Sequence, residues 1–143
     1  MTRTTVAIGS DHAGFDLKQI LAAYLAELGY EMLDLGTGGP ESVDYPDFGK
    51  AVAAEKARFG VVVCGTGIGI SIAANRNPQV RAALCHDHMT AELSRRHNDA
   101  NILALGSRII GVEVAKDCLR TFLTTPFDGG RHAGRVAKLS AIA

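Results

Sequence analysis

The chain has no tryptophan, few aromatic residues of any kind and only four prolines among its 143 residues. It also carries no net charge, because fifteen basic residues balance fifteen acidic ones. A balanced chain sets up no general field toward polyanions or anionic lipid, which argues against nucleic acid and membrane as partners. No apolar run approaches the roughly 18 residues that span a bilayer. The opening residues lack the basic start, longer apolar stretch and cleavage site of a secretory signal, so a cytoplasmic protein is expected. Three cysteines, Cys64, Cys85 and Cys118, are an odd number at no metal-ligand spacing. They predict reduced thiols rather than a disulfide framework.

What remains is an ordinary globular composition, 47% apolar and 21% charged, long enough for one domain spanning residues 1–143. Short runs rich in valine and isoleucine alternate with segments of helical period. Val6 to Ile8, Glu31 to Leu35, Gly60 to Cys64, Val80 to Cys85 and Ile102 to Leu105 read as strands. Leu17, Ile20, Leu21, Tyr24, Leu25 and Leu28 make one helical stripe, with Gly29 as its stop. Further helices are expected over Pro46 to Arg58, after Gly69, over Asp87 to Arg96, along the stripe Ala115 to Leu123, and from about Gly130. Alternation of this kind predicts an α/β fold with a five-stranded parallel sheet covered on both faces. Ligands of such sheets bind beyond the carboxyl ends of the strands. Those ends carry Ser10-Asp11-His12, Cys64-Gly65-Thr66, Cys85-His86-Asp87-His88 and Gly106-Ser107-Arg108.

Gly65, Gly67 and Gly69 alternate directly after the most apolar strand and before a helix. Glycines let the backbone turn sharply and approach a ligand, and the first N–H groups of the helix face it unpaired. Such a loop stabilises an anion, either a phosphate or an oxyanion formed during reaction. A dinucleotide fingerprint would need glycine where Ile70 stands and would follow the first strand, so a nucleotide cofactor is disfavoured. Cys64 stands at the mouth of this loop, where a thiol is disposed to give up its proton. The alternative reading is a small buried hydrophobe, and that reading is preferred for Cys85 and Cys118. Arg131 and Arg135 are four apart and share a helical face, either to grip one anion or as a solvated basic surface. Asp11 also suits a helix N-cap, and Tyr45 suits packing before Pro46. His86-Asp87-His88 has the look of a metal site, but Asp87 is more simply an N-cap, and no metal is expected.

Gly9 to Gly14, Asp44-Tyr45-Pro46, Cys64 through Ala74-Asn75, Arg96 to Asn101 and Gly129-Gly130-Arg131-His132 resemble the type B ribose-5-phosphate isomerases. The same family includes galactose-6-phosphate isomerase subunits. The resemblance runs through nearly the whole chain. It implies a Rossmann-like three-layer sandwich, aldose–ketose isomerisation of a sugar phosphate without metal or other cofactor, and composite active sites in a homodimer or dimer of dimers. It implies Cys64 as the base, Thr66 as an aid to proton movement between the two oxygens, and His97 as the ring-opening group. Arg131 and Arg135 would hold the phosphate with help from His12 and Arg108. Asp11, Tyr45 and Asn98 would bind sugar hydroxyls. By its chemistry the loop itself offers backbone N–H groups from Gly65 to Ile70, those of Gly65, Gly67, Ile68 and Gly69 among them, as donors to the oxyanion. Some members place a glutamate base where Ile70 stands here. Competing readings are isomerisation of an erythrose, allose or galactose phosphate, a non-catalytic sugar-phosphate module, and a cysteine redox protein.

Overall fold

The computed structural model describes residues 3–141. Its sheet is parallel throughout, in the spatial order β2-β1-β3-β5-β4, from β1 (Thr5–Ser10), β2 (Glu31–Asp34), β3 (Phe59–Cys64), β4 (Ala82–Leu84) and β5 (Ile102–Gly106). The helices are α1 (Phe15–Glu27), α2 (Tyr45–Ala54), α3 (Ile68–Ala74), α4 (His88–Arg96), α5 (Val112–Thr124) and α6 (Arg131–Ser140). Alternation along the central strands sorts them into layers. Val61 and Val63 pack with Leu21, Leu25, Ala91, Leu119 and Phe122, under α1, α4 and α5. Val62 and Cys64 point the other way, onto Val52, Ile70 and Ala74 of α2 and α3. Every residue of β3 is buried, as expected of a strand covered on both faces. Each fully buried aliphatic side chain of this set contributes roughly 1.5–3 kcal/mol.

The helix stops are chemical. At the end of α1, Gly29 adopts φ +90° and the N–H of Tyr30 reaches the Leu25 carbonyl at 3.0 Å, so glycine closes the last turn. Of the predicted stripe, Ile20 and Leu28 lie at its exposed margin. The helix expected to run to Arg58 ends at Ala54 instead, because Glu55 turns extended (ψ 140°) to lead the chain into β3. The strand expected from Val80 to Cys85 is limited to Ala82–Leu84. The N–H of Arg81 is drawn off to the Asn101 side chain at 2.8 Å. Helix α3 starts at Ile68, two residues earlier than expected, because Gly67 itself serves as its N-cap. Lys18, 1% exposed, is held by the Asp34 carboxylate at 2.6 Å, pinning α1 to the end of β2. Helix α6 differs from all of these: none of its residues is buried.

Candidate active site

The backbone at the carboxyl end of β3 folds back on its own side chain. Gly67 takes φ +78°, a left-handed conformation natural to glycine, and turns its N–H onto the Cys64 sulfur at 3.2 Å. Cys64 is 4% exposed, so that N–H is a dry, directed donor to whatever charge the sulfur bears. The next N–H, of Ile68, goes to Thr66 Oγ1 at 3.2 Å, which leaves the exposed Thr66 hydroxyl hydrogen free to turn outward. The first intrahelical bond of α3 runs from Ser71 to the Gly67 carbonyl. The N–H groups of Gly69 and Ile70 therefore have no partner within the helix. Ile70 is fully buried against the same face of the sheet as Cys64.

Neighbouring strand ends close around this loop. Ser107 N–H donates to the Cys64 carbonyl and Arg108 N–H to the Gly65 carbonyl, both at 2.9 Å. The Arg108 guanidinium lies on Gly65, where a Cβ would come within 3.0 Å of Nη1. The Tyr45 ring lies on Gly69 in the same way, leaving a Cβ only 2.6 Å of space. From β1, Asp11 N–H donates to the Val63 carbonyl, and the Asp11 carboxylate accepts the Gly14 N–H at 3.1 Å. The N-cap of α1 is Gly14, without a side-chain bond, so Asp11 braces the turn before the helix rather than capping it. His12 accepts the Val43 N–H through Nδ1 at 3.1 Å, which assigns the ring proton to Nε2. Asp11, His12, Tyr45, the Cys64–Gly69 loop and Arg108 thus share one end of the sheet.

His97, Asn98, Arg131 and Arg135 do not join them. Helix α4 starts beyond the carboxyl end of β4 and runs back, antiparallel to the strands, for about 13 Å. His97 is its C-cap, at the opposite end of the sheet from Cys64. There the His97 ring stacks on His132, with centroids 4.4 Å apart and planes within 14°. His97, Asn98, His132 and Arg135 line one hollow with Val136 and Leu139. Arg131 opens α6 beside it, after two glycines in positive φ. The sequence alone gives His132 no role; its one signal there is its place directly after Arg131. Partial burial, then the nearby His97, Arg131 and Arg135, hold its imidazole below the usual histidine range.

Burial pushes the Cys118 thiol up to about 12 and raises that of Cys85, so both stay protonated core residues. Asp87 is the N-cap of α4, exchanging bonds with Thr90 in a capping box, and His88 contacts Asp117 at 3.0 Å. Among the described residues, no group of three or more histidine, cysteine or carboxylate side chains converges as a metal site. None of the helices described is long and apolar enough to cross a membrane.

Comparison with known proteins gives this arrangement a class. The chain matches the Ribose/Galactose Isomerase family over residues 6–139. It is 45% identical over 141 residues to ribose-5-phosphate isomerase B of Escherichia coli (strain K12), covering 96% of this chain and 95% of that protein. It is 39% identical over 142 residues to D-erythrulose-4-phosphate isomerase of Pectobacterium atrosepticum, covering 94% and 92%. The solved ribose 5-phosphate isomerase of Thermotoga maritima superimposes with a TM-score of 0.95 at 50% identity, over 99% of this chain and all of that one. The fold is that of the solved type B ribose-5-phosphate isomerases, and the chain is a sugar-phosphate isomerase. The chain belongs to the ribose/galactose isomerase family.

Proposed function

We propose that this enzyme interconverts ribose 5-phosphate and ribulose 5-phosphate through a cis-enediolate, with Cys64 as the base. The observation that carries the reading is the Gly67 N–H on the Cys64 sulfur, beside two further N–H groups without helical partners. Such a loop serves one carbon and its oxygen at once. The sulfur takes the proton from C2, the N–H groups receive the charge that moves onto the carbonyl oxygen, and the same proton returns to C1. Thr66, with its oxygen already engaged by Ile68, hands a proton between O2 and O1. Asp11 and Tyr45 bind hydroxyls, and His12 and Arg108 reach the phosphate from this side. No metal or cofactor enters the scheme.

The active site is composite in this reading. Cys64 of one subunit meets His97, Asn98, Arg131 and Arg135 of a second copy, in a homodimer or dimer of dimers. Support comes from their separation within one chain and from the uncovered apolar side chains near the loop, Tyr45, Ile68 and Ile72. Three unpaired, buried cysteines fit a reducing cytoplasm. A second substrate has its own support, because the Pectobacterium relative acts on a tetrulose phosphate. Purified protein assayed against ribose, erythrose, allose and galactose phosphates, with and without chelator, tests both readings. Ribose 5-phosphate should give the highest kcat/KM, unchanged by chelation. A higher value for another sugar reassigns the substrate, and no turnover of any leaves a binding module.

A further inference from the structure

The turn after α4 is held far more firmly than a chain reversal requires. Asp99 has φ +47°, the only non-glycine residue with positive φ among those described. Its two carboxylate oxygens go to two different arginines: Oδ1 accepts from Arg95 Nη1 at 2.8 Å and Oδ2 from Arg81 Nη2 at 3.4 Å. Arg81 also donates through Nε to the Asp99 carbonyl at 2.9 Å. Arg95 is 2% exposed, near the rings of Phe59 and Phe122, and donates onward to the carbonyls of Ala100 and Thr125. Arg81 stands at the entry to β4. One carboxylate thus ties the end of α4 to two separate parts of the fold.

Glycine alone would make a left-handed turn. A carboxylate between two guanidinium groups adds direction, because planar charge-assisted bonds fix orientation as well as distance. The residues so directed are the two just before it, His97 and Asn98, neither of which is buried. On the far side, the Asp128 N–H donates to the Arg96 carbonyl at 3.0 Å, which brings His132 against the His97 ring.

We propose that Asp99, by bridging Arg95 and Arg81, is a positioning residue that aims His97 at the closed sugar ring. This rests on the reading above, in which His97 opens the furanose. Opening breaks the C1–O4 bond as O4 gains a proton and the hydroxyl on C1 loses one. A side chain relaying both protons tolerates little displacement. Proton abstraction by Cys64 makes no such demand on His97.

A cyclic and an acyclic aldose separate these roles. Ribose 5-phosphate enters closed, whereas erythrose 4-phosphate has no furanose to open, because its fourth oxygen carries the phosphate. Asp99→Asn keeps the shape and the left-handed turn but removes the charge. It should lower kcat for ribose 5-phosphate about tenfold or more, with KM within about threefold, while kcat/KM for erythrose 4-phosphate stays within about threefold of the parent. His97→Ala should show the same one-sided loss. Arg81→Lys, which keeps the charge but not the two-point hold, should show it in weaker form, and melting curves of each variant check the fold. Equal losses on both aldoses, or no loss on ribose 5-phosphate, overturn the positioning role. So does a one-sided loss in His97→Ala that Asp99→Asn does not share. A parent protein that turns over neither sugar overturns instead the isomerase reading on which the role rests.

Discussion

The two ends of the sheet are built on opposite principles. At the carboxyl end the Cys64 loop is drawn into the core: the sulfur is 4% exposed and the loop is fixed by backbone bonds from Gly67, Ser107 and Arg108. At the amino end, His97, His132 and Arg135 stand at the surface, on helices held by ion pairs such as Arg96–Asp128 at 3.2 Å. Burial makes the first cluster rigid without help. The second is positively charged and open, and no residue of α6 is fully buried within its own chain. A reaction base needs fixed geometry and a dry site, whereas a grip on phosphate must stay accessible until the anion arrives.

The sharpest break in this comparison is Cys64→Ala. Loss of a positioned base costs about 10²–10⁴-fold in rate, and the variant should reach at least that loss in isomerase assays. A sugar-phosphate ligand should still bind, measured calorimetrically, because the cationic cluster is untouched. Activity near the parent's would remove Cys64 from the chemistry. Next comes a test of whether the two ends meet between copies. Arg135→Ala and Cys64→Ala should each be nearly inactive alone. After subunit exchange in equal amounts, about half of all dimers are mixed and each mixed dimer has one complete site, so about a quarter of parental activity should return. No recovery would mean that both clusters serve within one subunit.

Most of the layered fold is legible along the chain because burial leaves a period. Short apolar runs mark the strands, most plainly the three valines of β3, and Gly29 marks a helix stop through its freedom at positive φ. Glu55 to Arg58 mislead because their composition suits a helix, whereas the short link into β3 allows none. The Cys64 loop was readable since thiol, glycines and helix start are contiguous. Two facts were not. Strand β5 inserts between β3 and β4, a spatial order that no periodicity encodes. The stack of His97 on His132 depends on how α4 and α6 meet across about 35 residues of chain.

A paired substitution probes rigidity directly. At Gly67 a Cβ would lie 2.5 Å from Leu84 Cδ1 and 2.8 Å from the Leu105 backbone, in a left-handed conformation that costs other residues about 1–2 kcal/mol. Gly67→Ala should therefore destabilise the fold by at least that much in denaturant titration and also reduce activity. Gly134, inside α6, has open space around it, and alanine there should stabilise by up to about 1 kcal/mol through helix propensity. Destabilisation by Gly134→Ala would show instead that another copy covers that face of α6.

The smallest expected effect tests whether the open cluster is built for an anion. Partial burial, and then its cationic neighbours, hold the His132 imidazole below the usual range, so the unfolded chain binds more protons than the folded one between the two pKa values. Stability then rises with pH in that window and is lost as pH falls through the unfolded value of about 6.5. Relative to His132→Gln, the parent should lose melting temperature as pH drops from about 7.5 to about 5.5. Inorganic phosphate should narrow the difference, because a bound anion favours the protonated ring and repays the crowding of His97, Arg131 and Arg135. A pH difference that phosphate leaves unchanged would break the reading of this hollow as the phosphate grip, and with it the complementarity of the two ends.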